Sequence, residues 1–307
     1  MFVRTIFPDL YLQSMLPAID EVVMTKYSQF PDEFSKVFRM EKSNRSIEQT
    51  TEVTGFGQFA QVPEGQTTIY DEPLPGFNKT YVHAQYSLGF KVSKVAMDDD
   101  KFAVVRKLAT ELGRSAKETR EVVPANVFNQ GRNSAYLGPD GVTLFSTVHP
   151  LIGGGTQTNQ LAYSSDPDVT AIQLALTDMR TAVDHRGKRL RIPPKKYIVP
   201  PMFEFVAAEM LGGSDWRPDT ADRTINAFRR RSGMPSFEEW MVWDYITTTD
   251  TFIEADVQDT ELRFYNREPF NTVHDIEFDS RSIKTAGWMR FSVGFNGFYG
   301  IYCIPGL

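Results

Sequence analysis

Apolar positions along the chain change period several times, and each change marks an element. Ile19, Val22, Val23 and Tyr27 recur at helical spacing after Pro17, which suits a helix start, and Pro31 bounds the stretch. From 46 to 95 the pattern shortens. Thr50–Val53, Thr67–Tyr70 and Thr80–Val95 are rich in β-branched and aromatic residues, with turn residues at Gly55, Gly57, Pro63–Gly65 and Pro73–Gly76 between them. This predicts a long antiparallel hairpin. Its stretch Ile47–Tyr70 has few large aliphatics, and a two-stranded ribbon alone is marginal in water, so it must pack on something else.

The clearest helix follows Asp98-Asp99-Asp100, which fit a first turn as caps. Phe102, Val105, Leu108, Ala109, Leu112, Ala116 and Thr119 form one stripe, while Glu111, Arg114, Lys117, Glu118 and Arg120 take the remaining faces. Pro124 is expected to kink or end this helix near Val123, with a continuation to Gly131 as the alternative. Residues 131–167 read as a long connection. A second helix, with Pro167 at its first position and Gly187 at its end, turns Val169, Ile172, Leu176, Met179 and Val183 inward. Tyr197–Val199 is a buried strand. Pro200-Pro201 opens a helix closed by Gly212-Gly213, and a further helix is expected over Thr220–Arg231. Extended segments follow at Trp240–Ile246, Phe252–Ala255, Glu261–Asn266, Val273–Phe278 and Trp288–Ile304. Strands on both sides of a helical middle define an α+β fold in which distant sequence shares a sheet.

Composition narrows the functional classes. With 307 residues, 41% hydrophobic and 23% charged, the chain can bury a sizeable core. A net charge of -6 argues against a surface built wholly for nucleic acid. The single cysteine, Cys303, rules out an intrachain disulfide and a Cys-based zinc site, and reads as a buried hydrophobe. The opening residues lack signal-peptide order, and no apolar run is long enough to span a bilayer.

Catalytic candidates are weak. Asp140, Ser146 and His149 lie close in sequence, but no nucleophile elbow accompanies them, and His149 reads as a loop anchor. His83, His149, His185 and His274 are not spaced for zinc. Gly153–Gly155 lacks the ending of a phosphate loop and reads as a turn. The basic clusters Lys188–Arg191, Lys195-Lys196 and Arg229-Arg230-Arg231 fit salt bridges and helix ends better than nucleic acid, and Glu238-Glu239 reads as a solvated face. No cofactor, metal or catalytic residue is expected.

Four stretches carry a resemblance. Phe90–Phe102 resembles the strand-to-spine-helix junction of phage capsid subunits, and Leu112–Glu121 the body of that spine helix. Leu144–Asn159 is similar to a loop of Mu-like head subunits, and Pro194–Pro201 to the strand entering their next helix. The chain thus resembles the Hong Kong 97-type major capsid proteins of tailed bacteriophages. That resemblance implies an N-terminal arm (1–45), an E-loop (46–92), a P-domain with the spine helix (93–149 and 272–300) and an A-domain (150–271 and 301–307). It implies a non-enzymatic virion protein, assembled in the host cytoplasm as hexamers and pentamers of an icosahedral shell around double-stranded DNA. Implied partners are further copies of the chain, a portal, separate scaffold and decoration proteins, and DNA held without sequence specificity on the inner face, with no membrane. An encapsulin-like compartment and a soluble hydrolase using His149 are the alternatives. Phe56, Phe59, Ile69 and Tyr70 on the hairpin, with Arg229, Arg230 and Arg231, are the expected inter-subunit contacts.

Overall fold

A computed structural model describes residues 8–93, 95, 102–211, 237, 239–277 and 282–307. Asp98–Asp100, the Gly212-Gly213 closure and the Thr220–Arg231 helix, with Arg229–Arg231, lie outside the described residues.

The spine of the molecule is a 28-residue helix, here α2 (Phe102–Asn129). Its apolar stripe is buried at Val105, Ala109, Leu112 and Ala116. It runs on through Pro124, so the continuation, not the stop, is what forms; Ala125 and Phe128 beyond the proline are fully buried and hold that end in the core. Helix α1 (Pro8–Gln29) crosses α2 so closely that a Cβ on Gly113 would sit 2.5 Å from the Val23 carbonyl oxygen. Only glycine permits that approach. α1 begins well before Pro17, and it is docked on its own chain rather than held as a loose arm: Ile19 and Val23 are buried.

Lys117, Arg120 and Glu121, off the apolar stripe of α2, are also buried. The segment 27–38 covers them. Glu121 accepts the Glu33 and Phe34 amides at 2.8 and 3.1 Å, Lys117 pairs with Asp32, and Arg120 donates to the Tyr27 hydroxyl while its guanidinium lies over the Phe34 and Phe264 rings. Polar groups on a helix can be buried when each finds a partner, and here the partners come from about ninety residues away in sequence.

Two four-stranded sheets organise the rest. The strands in chain order are β1 (Arg39–Lys42), β2 (Ile47–Val53), β3 (Pro75–Val82), β4 (Ala84–Ser93), the short pair β5 (His149–Pro150) and β6 (Thr156–Gln157), β7 (Lys196–Val199), β8 (Glu239–Val242), β9 (Thr251–Glu254), β10 (Leu262–Glu277), β11 (Ser282–Phe295) and β12 (Ile301–Ile304). The first sheet has the order β1-β10-β11-β4 and the second β12-β9-β7-β8. β2 and β3 form a separate ribbon.

Several elements depart from expectation. Thr80–Val95 is two strands: the chain leaves the ribbon at Val82 and enters the first sheet at Ala84, with His83 between them bonded to Ser43 and Ser292. Glu261–Asn266 and Val273–Phe278 merge into the single 16-residue β10; Pro269 falls where its register slips, the place a proline can occupy inside a sheet. Trp288–Ile304 divides the opposite way, into β11 of one sheet and β12 of the other, across a turn where Gly300 has φ +75°. Of the Trp240–Ile246 segment only 240–242 is strand, in a β8 that begins at Glu239. Thr67–Tyr70 is not a strand at all. The parallel strand β1 had no local signal.

Helices α3 (Val169–Thr181) and α4 (Glu204–Leu211) pack on one face of the second sheet with Tyr197, Val199, Ile253, Tyr302 and Ile304. α3 starts at Val169, capped by Asp168, two residues later than Pro167 suggested, and it stops at Thr181; Gly187 belongs to the turn beyond. The alternate residues Ile198, Phe252, Ile301 and Cys303 face the core of α2 and the first sheet. The second sheet is thereby covered on both sides, which accounts for the full burial of β9 and β12.

Candidate subunit interface

The ribbon β2–β3 pairs from Ile47↔Val82 to Val53↔Pro75, and its neck is firmly tied to the chain's own body. Thr54 and Leu74 close the ladder: each amide is bonded to the other residue, at 3.0 and 2.8 Å. Beyond them Asp71 accepts the Gly57 amide at 2.6 Å and pairs with Arg186, whose guanidinium also reaches the Glu72 carbonyl. The Gly57 amide and Arg186 together hold the exposed Asp71 carboxyl below its ordinary range. Glu52 accepts from His185 Nε2 at 2.9 Å, and Phe77 meets the His185 ring edge-on. Thr50 and Tyr265 hydroxyls bond across to β10. The turn 184–187 that supplies Arg186 and His185 is thus the seat of the hairpin, a role that its sequence did not announce.

The tip is the opposite. Every residue from Gln58 to Pro75 is exposed. Phe56, Phe59, Ile69 and Tyr70 all lie on it, with Phe59 107% and Tyr70 87% exposed. All four hairpin residues expected at contacts are thus exposed. Val53, Val62 and Leu74 are exposed on the same limbs. Single exposed apolar residues are ordinary, but seven along one hairpin are more than that default.

The catalytic candidates resolve into anchors. His149 is buried, with Nδ1 2.6 Å from Asp140, Nε2 3.0 Å from Asn159 and its ring stacked on Phe298. The Asn159 amide nitrogen is committed to the Leu144 carbonyl, so its oxygen faces His149 and the Ser146 amide. Neither ring nitrogen is left for a substrate. His83, His185 and His274 are likewise bonded at both nitrogens. Gly153 lies against the His185 carbonyl, and Gly154 and Gly155 have φ of +95° and +89°, as a tight turn requires. Lys188, Lys195 and Lys196 pair with Asp184, Asp256 and Glu254. Glu239 lies 3.9 Å from Lys36 instead of standing alone. Among the described residues there is no group of three His, Cys, Asp or Glu side chains able to hold a metal, and no helix long and apolar enough to cross a membrane.

A spine helix beside a mixed four-stranded sheet, a second sheet between two cores and a projecting hairpin together define the Hong Kong 97-type shell-building fold. Solved structures agree. The chain superposes on the native gene-transfer-agent particle capsid with TM-score 0.53 at 9% identity, covering 88% of each chain. It superposes on the procapsid of bacteriophage JBD30 with TM-score 0.51 at 14% identity, covering 96% of this chain and 75% of that one. The virus-like particle of Pyrococcus furiosus gives 0.51 at 8% identity, covering 94% and 98%. A comparison with curated protein sequences finds no match. The family described as "Phage capsid protein" matches residues 78–304, and the chain belongs to that family. It is a structural component of the virion: a major capsid protein that self-assembles into a phage shell.

Proposed function

We propose that the shell is built from hexamers and pentamers of this chain in which each hairpin lies across a neighbouring copy, and that it encloses double-stranded DNA. The exposed apolar tip on an anchored neck carries this reading. Burying a large apolar side chain is worth about 2 kcal/mol, so the tip offers a substantial driving force that an isolated chain leaves unused. Each copy gives one such contact and receives another, an arrangement that closes into rings. Many modest contacts then make a strong shell through multivalency.

In this reading the division into arm, E-loop, P-domain and A-domain follows the boundaries given above. Assembly takes place in the host cytoplasm, with a portal and separate scaffold and decoration proteins as partners. Packaged DNA meets the inner wall without sequence-specific contacts, and no catalytic step is assigned. Net negative charge suits a wall that must not hold its contents tightly. Electron microscopy of the expressed protein tests the proposal. Closed particles are expected from the wild type and not from a chain lacking 56–72. Closed particles from both would refute it, and particles filled with a protein cargo would move the assignment to an encapsulin-like compartment.

A further inference from the structure

Segment 33–38 is a strap between the two halves of the fold. Glu121 of α2 holds one end through the Glu33 and Phe34 amides. Phe34 and Phe38, both fully buried, lie against Phe264 of the first sheet and Phe128 of α2. The other end reaches the second sheet through Lys36. Its carbonyl accepts from the Lys196 ammonium of β7, and its own ammonium lies 3.9 Å from Glu239 of β8.

Beside that tie lies a group that the fold leaves unsatisfied. Glu254 ends β9, and its side chain points to the same side as Phe252, toward the core behind the second sheet. It is 0% exposed, and neither carboxylate oxygen has a hydrogen-bond partner among the described residues. Its neighbours across the strands are Lys196 on β7 and Ile301 on β12. The Lys196 ammonium is 3.9 Å away, beyond hydrogen-bonding distance, because it is turned to the Lys36 carbonyl. The other charges nearby are engaged with one another: Lys195 pairs with Asp256, and Lys36 faces Glu239. Asp256 and Glu239 oppose a negative charge on Glu254, and Lys196 favours one. A carboxyl so placed is held as the neutral acid, because burial penalises an unpaired charge. Once ionised, it would need the ammonium that now ties the strap.

We propose that Lys196 is a two-position latch set by the proton on Glu254. With Glu254 neutral, the ammonium stays on the Lys36 carbonyl, and the strap couples the spine helix to the second sheet. When the O–H bond of Glu254 breaks and its proton passes to solvent, the ammonium closes on the carboxylate. The Lys36 carbonyl then loses its donor, and segment 34–38 is freed from the second sheet. Burial holds the Glu254 pKa well above the usual carboxylate range, so the latch is shut within that range and opens as pH rises through the folded value. The device does not rest on the hairpin reading.

The test is hydrogen–deuterium exchange of the free subunit, read by mass spectrometry at about pH 5 and about pH 9 and corrected for intrinsic rates. The amides of Lys36, Val37 and Phe38, each bonded within the strap, are the reporters. In the wild type their exchange is expected to quicken about tenfold at the higher pH, the worth of one hydrogen bond to a charged group, while α3 quickens less. Glu254→Gln keeps the shape and removes the titration, so its strap should exchange slowly at both pH values. No step in the wild type, or an equal step in Glu254→Gln, would overturn the latch. So would an equal rise over α3, which would mean that the proton acts on the whole fold alone. Should Glu254→Gln not fold, Lys196→Met decides. With the shared ammonium gone the strap should exchange quickly at both pH values, and a remaining pH step would overturn the proposal.

Discussion

The neck and the tip of the hairpin are consecutive pieces of one ribbon, yet they satisfy themselves in different ways. In the neck, Thr54, Glu52, Asp71 and Phe77 each meet a group of the same chain. In the tip, Phe59, Ile69 and Tyr70 stand exposed. A similar contrast separates the tip from the segment 27–38, which also lacks a core of its own but finds one on α2 through Glu121, Arg120 and Lys117. Fixed direction with an unsatisfied end is what an arm needs. In the proposed assembly the neck sets where the tip is held, and the tip's burial free energy goes to a second molecule.

Breaking the tip should have the largest effect. Phe59→Ser with Tyr70→Ser removes about 4 kcal/mol of burial per contact, so the concentration needed for assembly, read by light scattering, should rise by two orders of magnitude or more. Urea unfolding of the free subunit should not change. Breaking the buried clamp should do the reverse. Glu121→Ala leaves the Glu33 and Phe34 amides without their acceptor, and should lower subunit stability by about 3 kcal/mol in urea titration. His149→Ala should lower stability by about 2 kcal/mol by freeing Asp140 and Asn159, and particles should still form with wild-type morphology.

Smaller effects sharpen the comparison. Arg186→Ala should change subunit stability by less than about 1 kcal/mol, since Asp71 is exposed, while speeding hydrogen exchange at the Gly57 amide. Glu254 gives a pH-dependent test. Its carboxylate is fully buried with Lys196 3.9 Å away and neither oxygen hydrogen-bonded among the described residues, and burial pushes its pKa well above the usual carboxylate range. The folded state therefore holds that proton more tightly than the unfolded state. Its contribution to stability is complete below the unfolded pKa and lost as pH rises through the folded one. Glu254→Gln should flatten the decline of stability above pH 5 in denaturant melts taken at several pH values.

Local periodicity carried part of this architecture. The α2 and α3 stripes, Tyr197–Val199 and the outgoing limb of the hairpin were legible because their signals lie within a few turns of chain, whereas the strand expected at Thr67–Tyr70 does not form and the returning limb is Pro75–Val82. Burial of Lys117, Arg120 and Glu121 was not, because a charged residue on a helix reads as solvated unless its distant cover is known. The parallel pairing of β1 with β10 joins Arg39 to Arg263, and no short window contains both. The exposed tip residues were legible as apolar positions that no nearby core could claim. Arg186 and His185 were not, since a turn after a helix gives no hint of what it will seat. Nor does any local pattern show that the ribbon changes sheets at His83.

That crossing has a mechanical consequence. A pull along the β3 limb of the hairpin that its neck contacts do not absorb passes through a single residue into β4, whose ten residues are laced to β11 by bonds that run across the strands. Tension along the arm therefore loads the whole ladder in shear, where its bonds must yield together rather than unzip one by one. Strain arriving from a neighbouring protomer as a container fills would be spread over the first sheet and the spine behind it.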